Sequence, residues 1–313
     1  MPGYLRRLAL ALALAGGALP AAAQAPGATQ ADEIVVTAQR TGIPVWRVNS
    51  PTTTLVLIGA INGVAKDTKW DPAALTETLR KADRVMFPSM TQLSGSPFAL
   101  IGALAKWRKQ ATLPKGQSLQ QMLPPEQFQR LVALQKKGLL KPGFERKHPF
   151  HLSIMLRDIA EGKRGYGPPA SEVVRRTVKK HKIKMVPIAT AKVKPVLNDF
   201  FSTPAKAYVP CLIESIALVE AGPGVVKARS DAWAQRRVTD VLRSPANKVW
   251  DSCQPPAIDN IARTDLRTQV RSLLAQPQLT VAVVELDTLA QRGGVLDSLD
   301  AAGFDVRGPR WKS

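Results

Sequence analysis

Between Thr54 and Asn62 the chain reads Thr-Leu-Val-Leu-Ile-Gly-Ala-Ile-Asn, a continuous apolar run interrupted only at Gly59. A short unbroken run with β-branched members predicts a strand buried on both faces, as at the centre of an α/β sheet. Val45–Val48 comes just before it, and the intervening Asn49-Ser-Pro-Thr52 is a turn sequence, so the two runs are expected to pair. Arg84–Phe87, Lys184–Ile188 and Leu279–Val284 are further strand candidates, the last again buried on both faces. Between them the apolar spacing becomes helical. Pro72–Ala82 has Asp71 placed to cap it and proline at its first position. A loop and helix follow over Ser94–Gln110, then Pro124–Lys137 closed by Gly138, Pro149–Glu161 and Ala170–Lys180. Pro195–Ser244 and Pro256–Ala275 also read as helical. The expected fold is α/β, a central mixed β-sheet flanked by helices, with a helical segment inserted between the sheet halves.

In such sheets chemistry collects beyond the carboxyl ends of the central strands, here Gly59 to Gly63. Glycine permits a sharp turn or a close approach. The side chains that follow it, Ala60, Ile61 and Asn62, supply no nucleophile and no titratable group. Glu285 and Asp287 are two acids close to the end of another buried strand, a position that local turn chemistry more commonly explains. His148 and His151, three apart, could share a helix face as a weak metal pair, or simply cap and pack the start of that helix. His181 sits among cations in Lys179-Lys-His-Lys-Ile-Lys184, where repulsion disfavours a metal.

Apolar residues are 45% of the 313, enough for a folded core, and the net charge of +20 favours anionic partners or simply a basic, soluble surface. The run Arg175–Lys184 concentrates that charge, either as an anion-binding patch or as a solvated helix end. Nucleic acid is not an expected partner, because aromatic residues for stacking are only 5% of the chain.

The first residues have the pattern of an export signal over 1–23: Arg6-Arg7, the apolar Leu8–Leu19, and Ala21-Ala22-Ala23 for cleavage. The apolar run is too short to span a bilayer, and no later stretch would form a stable membrane span. A periplasmic location follows as the expectation. Cys211 and Cys253, an even pair, then suggest a disulfide, with two buried thiols or a reactive cysteine as the alternatives. Residues 24–42 read as a flexible linker, with the globular domain over 43–313. Within the linker, Asp32-Glu-Ile-Val-Val-Thr-Ala-Gln-Arg40 resembles the TonB box of TonB-dependent outer-membrane receptors, centred on Glu33, Ile34, Val35 and Val36. That resemblance implies a docking peptide, residues 32–40, for a TonB-type energy-transducing domain by strand addition. An edge strand on the domain, or a disordered tail, is the plainer alternative.

From Val45 to Val306 the order of strands and glycines resembles the TraB/GumN family. The opening Tyr/Trp-x-Val then Val-x-Leu-hydrophobic-Gly is matched by Trp46-Arg-Val48 and Leu55-Val-Leu-Ile-Gly59, with leucine in the place of the valine, and the closing segment by Gly294-Val-Leu-Asp-Ser-Leu299 and Gly303-Phe-Asp-Val306. The resemblance implies a metal-dependent hydrolase built from polar residues at strand ends. At those positions this chain carries Asn62 for histidine, Pro88 for glutamate, Pro169 for aspartate, Ala189 for glutamate and Thr288 for histidine, while Arg263 matches a family arginine. A hydrolytic metal site needs three or four N/O donors and a proton carrier. The expectation is therefore a non-catalytic binding or adaptor protein of the cell envelope, with no metal or other cofactor and with an anionic envelope ligand. The alternative is a metal-dependent hydrolase with a relocated site, in which Asn62, Arg263, Glu285 and Asp287 converge.

Overall fold

The computed structural model describes residues 29–91, 102, 106–108, 110–161, 167–189, 193–253 and 266–312. Residues 1–23, where an export signal is expected, and Arg263 lie outside them. Six strands form one mixed sheet in the order β4-β3-β5-β2-β1-β6. They are β1 (Val45–Asn49), β2 (Thr54–Ala60), β3 (Arg84–Thr91), β4 (Met185–Ala189), β5 (Thr280–Glu285) and β6 (Asp305–Arg307). β1 and β2 form the expected antiparallel hairpin, with Val45 opposite Ile58. β2 runs parallel to β5, and β5 and β4 run parallel to β3 on either side of it. Leu55, Val56, Leu57 and Ile58 are fully buried, as are Val281, Ala282 and Val284. Both faces of the sheet centre are therefore covered, which is why these strands read as continuous rather than alternating apolar runs.

One cover is a pair of helices, α1 (Gln30–Arg40) and α2 (Pro72–Lys81). Asp71 caps α2 as expected, its carboxylate accepting from the amides of Ala73 (2.8 Å) and Ala74 (3.0 Å). α1 corrects the sequence reading: residues 30–40 form neither a linker nor a strand. The Thr29 hydroxyl accepts from the Asp32 amide while the Asp32 carboxylate accepts from the Thr29 amide, a reciprocal capping box. Asp32 and Glu33 in the first turn and Arg40 in the last suit the helix dipole. Ile34, Thr37 and Ala38, spaced i, i+3, i+4, are buried in the main core, while Val36 is 60% exposed. The strand preference of Ile34–Thr37 is overridden by the cap and by this stripe.

The helical insertion comes in two stretches. Between β3 and β4 lie α3 (Leu119–Met122), α4 (Pro125–Lys136), α5 (Pro149–Glu161) and α6 (Ala170–His181). Between β4 and β5 lie α7 (Val193–Ser202), α8 (Val209–Ala221), α9 (Gly224–Ala234), α10 (Val238–Arg243), α11 (Pro245–Ser252) and α12, residues 266–274. α5 packs on α8, and together with α3 and α4 they enclose a second core of Leu119, Leu131, Leu152, Leu156, Leu212 and Ile216. The Cys211–Cys253 disulfide is present and joins α8 to the end of α11 across 42 residues of sequence. α13 (Leu286–Ala290) and α14 (Val295–Ala301) lead to β6.

Among the described residues no single helix is long and apolar enough to cross a membrane; α8 with its preceding turn and α9 pass such a test only jointly, bent by 95°. Their apolar residues Leu212, Ile216 and Trp233 are spent on the interior.

Candidate functional site

The carboxyl ends of β2, β3, β4 and β5 lie side by side because these four strands run parallel. The sheet thus brings Asn62, Pro88, Ala189 and Glu285 to one edge. Pro88 falls where β3 stops pairing with β5, after Met86, and where its register with β4 shifts between Phe87 and Thr91. A proline has no N–H to give to such a ladder. Ala189 is the last residue of β4, and Pro169 precedes α6 as its N-cap without a side-chain hydrogen bond. Thr288 sits in α13, just past Glu285 and Asp287.

Gly59 and Gly63 divide the two roles glycine can play. Gly59 remains in the strand, and a Cβ there would lie 2.6 Å from Leu286 Cδ1 and 3.1 Å from the Trp46 ring, so it permits close packing. Gly63 takes the left-handed conformation, φ +63°, and makes the turn. Between them the loop is gripped by α9, an interaction that the sequence reading missed. Trp233 Nε1 donates to the Gly59 carbonyl at 2.8 Å, and Ser230 Oγ accepts from the Ala65 amide at 3.0 Å. Arg229 donates through Nη2 to the carbonyls of Asn62 and Gly63, and through Nη1 to that of Ala246 on α11 at 3.2 Å. Arg229 and Trp233 are buried four apart, one turn of helix. That pair, a cation and an indole on an inward face, is the signal that could have found the grip.

Asn62 does meet Glu285: its Nδ2 donates to Glu285 Oε1 at 2.9 Å. Burial pushes the Glu285 carboxyl up to about 7; the Asp287 charge pushes the same way, while the Asn62 hydrogen bond and Arg229 pull it down. Asp287 turns to another partner, accepting from Nδ2 of the buried Asn247 on α11. A pocket of about 250 Å³ lies on that side, lined in part by Arg243, Asn247, Lys248, Asp287, Arg292 and Trp311. Of the four residues expected to converge, Asn62 bonds Glu285, Asp287 bonds Asn247 while its charge still reaches Glu285, and Arg263 lies outside the described residues.

The model of the TraB/PrgY/gumN family matches residues 44–308, nearly the whole described chain. The chain belongs to this family. No curated protein and no solved structure matches it. A metal at the family's strand-end position is poorly served by the residues present. Asn62 donates to one oxygen of Glu285, a guanidinium approaches the adjoining carbonyls, and among the described residues no three His, Cys, Asp or Glu side chains form a metal-binding group.

His148 and His151 lie elsewhere, at the start of α5 in the helical region, with ring centroids 6.0 Å apart. His148 Nδ1 accepts from the Phe150 amide at 3.3 Å, as a cap does, and His151 packs on Trp107 at 4.3 Å between centroids. Burial, then the neighbouring His151, holds His148 down to about 4, and burial lowers His151 too. Capping and packing account for the pair.

Proposed function

We propose that this chain is an exported, non-catalytic member of the TraB/PrgY/gumN family that works by binding in the cell envelope. The observation that carries this reading is the closed pairing at the strand ends, Arg229 to the Asn62 and Gly63 carbonyls and Asn62 to Glu285. The Asn62 amide and one Glu285 oxygen, the polar groups nearest the end of β2, are thereby engaged with each other, and the adjoining carbonyls with Arg229. The replacements read from the sequence, Asn62, Pro88, Pro169, Ala189 and Thr288, argue in the same direction, since proline and alanine side chains hold no donor atoms. The leader sequence and a disulfide of the kind kept in oxidising compartments support export. The charge of +20, and the cations Arg243, Lys248 and Arg292 beside the Asp287 pocket, favour an anionic ligand. Thermal unfolding with chelator and with added Mn²⁺, Co²⁺ or Zn²⁺ tests the reading. A bound ion at about 100 times its Kd would add about 2.7 kcal/mol, an easily seen rise in Tm; no rise is expected, and a clear one would refute the proposal.

A second reading, hydrolysis at a relocated site, is favoured by one observation: a carboxyl titrating near 7 is suited to general acid–base work. Peptide-hydrolysis assays separate the two, because activity lost in Glu285→Gln would support the enzyme. Docking to a TonB-type domain through residues 32–40 would require α1 to unwind and Ile34 to leave the core. That step forfeits roughly 1.5–3 kcal/mol of burial before any strand forms.

A further inference from the structure

A large cavity among the described residues is remote from the strand ends. It is an open cleft of about 1020 Å³ in the helical region, between the segment 110–122 and the end of α7 with the turn that follows it. Small-molecule sites span about 300–1,000 Å³, so this is large for one. Its walls are fixed from behind. Gln110 Nε2 donates to the Phe201 carbonyl at 3.0 Å and ties one wall to the other. Arg146 donates to the carbonyls of Leu113 (3.2 Å) and Gln117 (3.1 Å), and Thr203 Oγ1 to that of Asp199 (2.7 Å). Leu113, Met122, Phe201 and Pro204 give it an apolar lining.

The charges in the lining have one sign. Lys106 and Lys206 line the cleft and are exposed, and Lys106 Nζ stands 5.7 Å from the centre of the Phe201 ring. None of the described lining residues is an acid; Asp199 lies outside them. His148 also lines the cleft, and with its Nδ1 accepting from the Phe150 amide the neutral ring carries its proton on Nε2, a donor. An apolar floor with two cations and no acid matches an amphipathic anion rather than a sugar or a cation.

We propose that this cleft binds a single-chain amphipathic anion, its alkyl chain along Leu113, Met122 and Phe201 and its acidic head at Lys106 and Lys206. Carboxylate and phosphate heads share this chemistry. The site is independent of the strand-end cluster, so it stands whether or not that cluster is catalytic.

The test is a fluorescence titration of the purified protein with 11-(dansylamino)undecanoate, below its micelle concentration. Competitors are decanoate, dodecanoate, tetradecanoate, dodecyl phosphate and dodecanol. The expected result is saturable binding of one probe per chain, displaced about ten-fold less well for every two methylenes removed from the competitor. Dodecanoate or dodecyl phosphate should compete at least about ten-fold better than dodecanol, and their order decides which head the site prefers. Lys106→Gln with Lys206→Gln should weaken the probe about ten-fold while leaving dodecanol unchanged. Ser202→Trp, at an exposed position on the wall, should block binding with Tm preserved. No saturable binding to the unaltered protein, dodecanol competing as well as dodecanoate, or unchanged affinity in the double lysine variant would each overturn the proposal.

Discussion

Glu285 is held where its charge is costly. Its carboxyl, ordinarily titrating at 4.5, is pushed up to about 7 mainly by burial, although Asn62 and Arg229 both favour the ionised form. The folded state therefore holds this proton through a range in which the unfolded chain has released it. Linkage gives the sign: the contribution of Glu285 is most favourable below pH 4.5 and is lost as pH rises from 4.5 to about 7. Glu285→Gln keeps an oxygen for the Asn62 amide and removes the titration. It should flatten stability against pH across that window and raise stability above pH 7 by at most about 3 kcal/mol. Urea unfolding across the pH range checks this; parallel curves for the two proteins would contradict it. The chemistry of this residue was only partly legible in the sequence. Glu285 and Asn62 could be singled out because each ends a buried run, and that places them at neighbouring strand ends. Asn247 could not, because it sits in a helix whose inward face depends on tertiary packing, and Arg229 was within reach only through its spacing of four from Trp233.

At the level of elements, β2 and β5 were the most legible, since a strand covered on both faces must be apolar at every position. α1 was the least. Ile34–Thr37 carries a strong strand preference, and only the Thr29–Asp32 capping box and the i, i+3, i+4 burial of Ile34, Thr37 and Ala38 decide for helix. A preference worth tenths of a kcal/mol per residue yields to about 1 kcal/mol of capping and to burial of the stripe. The meeting of β2 with α13 rests on Gly59, where leucine and tryptophan side chains leave no space for a methyl group. Leu286 and Trp46 are themselves fully buried and cannot swing aside. Gly59→Ala should cost on the order of 1–3 kcal/mol by overpacking, measured as a lower urea midpoint with an unchanged m-value. A neutral substitution would show that the β2–α13 contact is looser than described.

The whole molecule combines a sheet domain with a helical insertion, and the one covalent link is inside the insertion. Closing 42 residues between Cys211 and Cys253 restricts the unfolded chain, and the corresponding stabilisation is about 4 kcal/mol in the chain-entropy view. Cys211→Ser with Cys253→Ser should lower Tm markedly; an unchanged Tm would mean that the two thiols are ordinary core residues. Family membership and the order of the strands follow from buried positions, which specify a scaffold whatever its site does. Whether that scaffold keeps a metal is decided by a handful of strand-end residues, and here two of them, Asn62 and Glu285, are paired with each other. Elemental analysis of the protein, purified without chelator and then dialysed against Mn²⁺, Co²⁺ and Zn²⁺ in turn, addresses this most directly. Self-paired strand ends should retain far less than one equivalent of any of the three. An ion held near one per chain, and lost on replacing Asn62 and Glu285 with alanine, would contradict it.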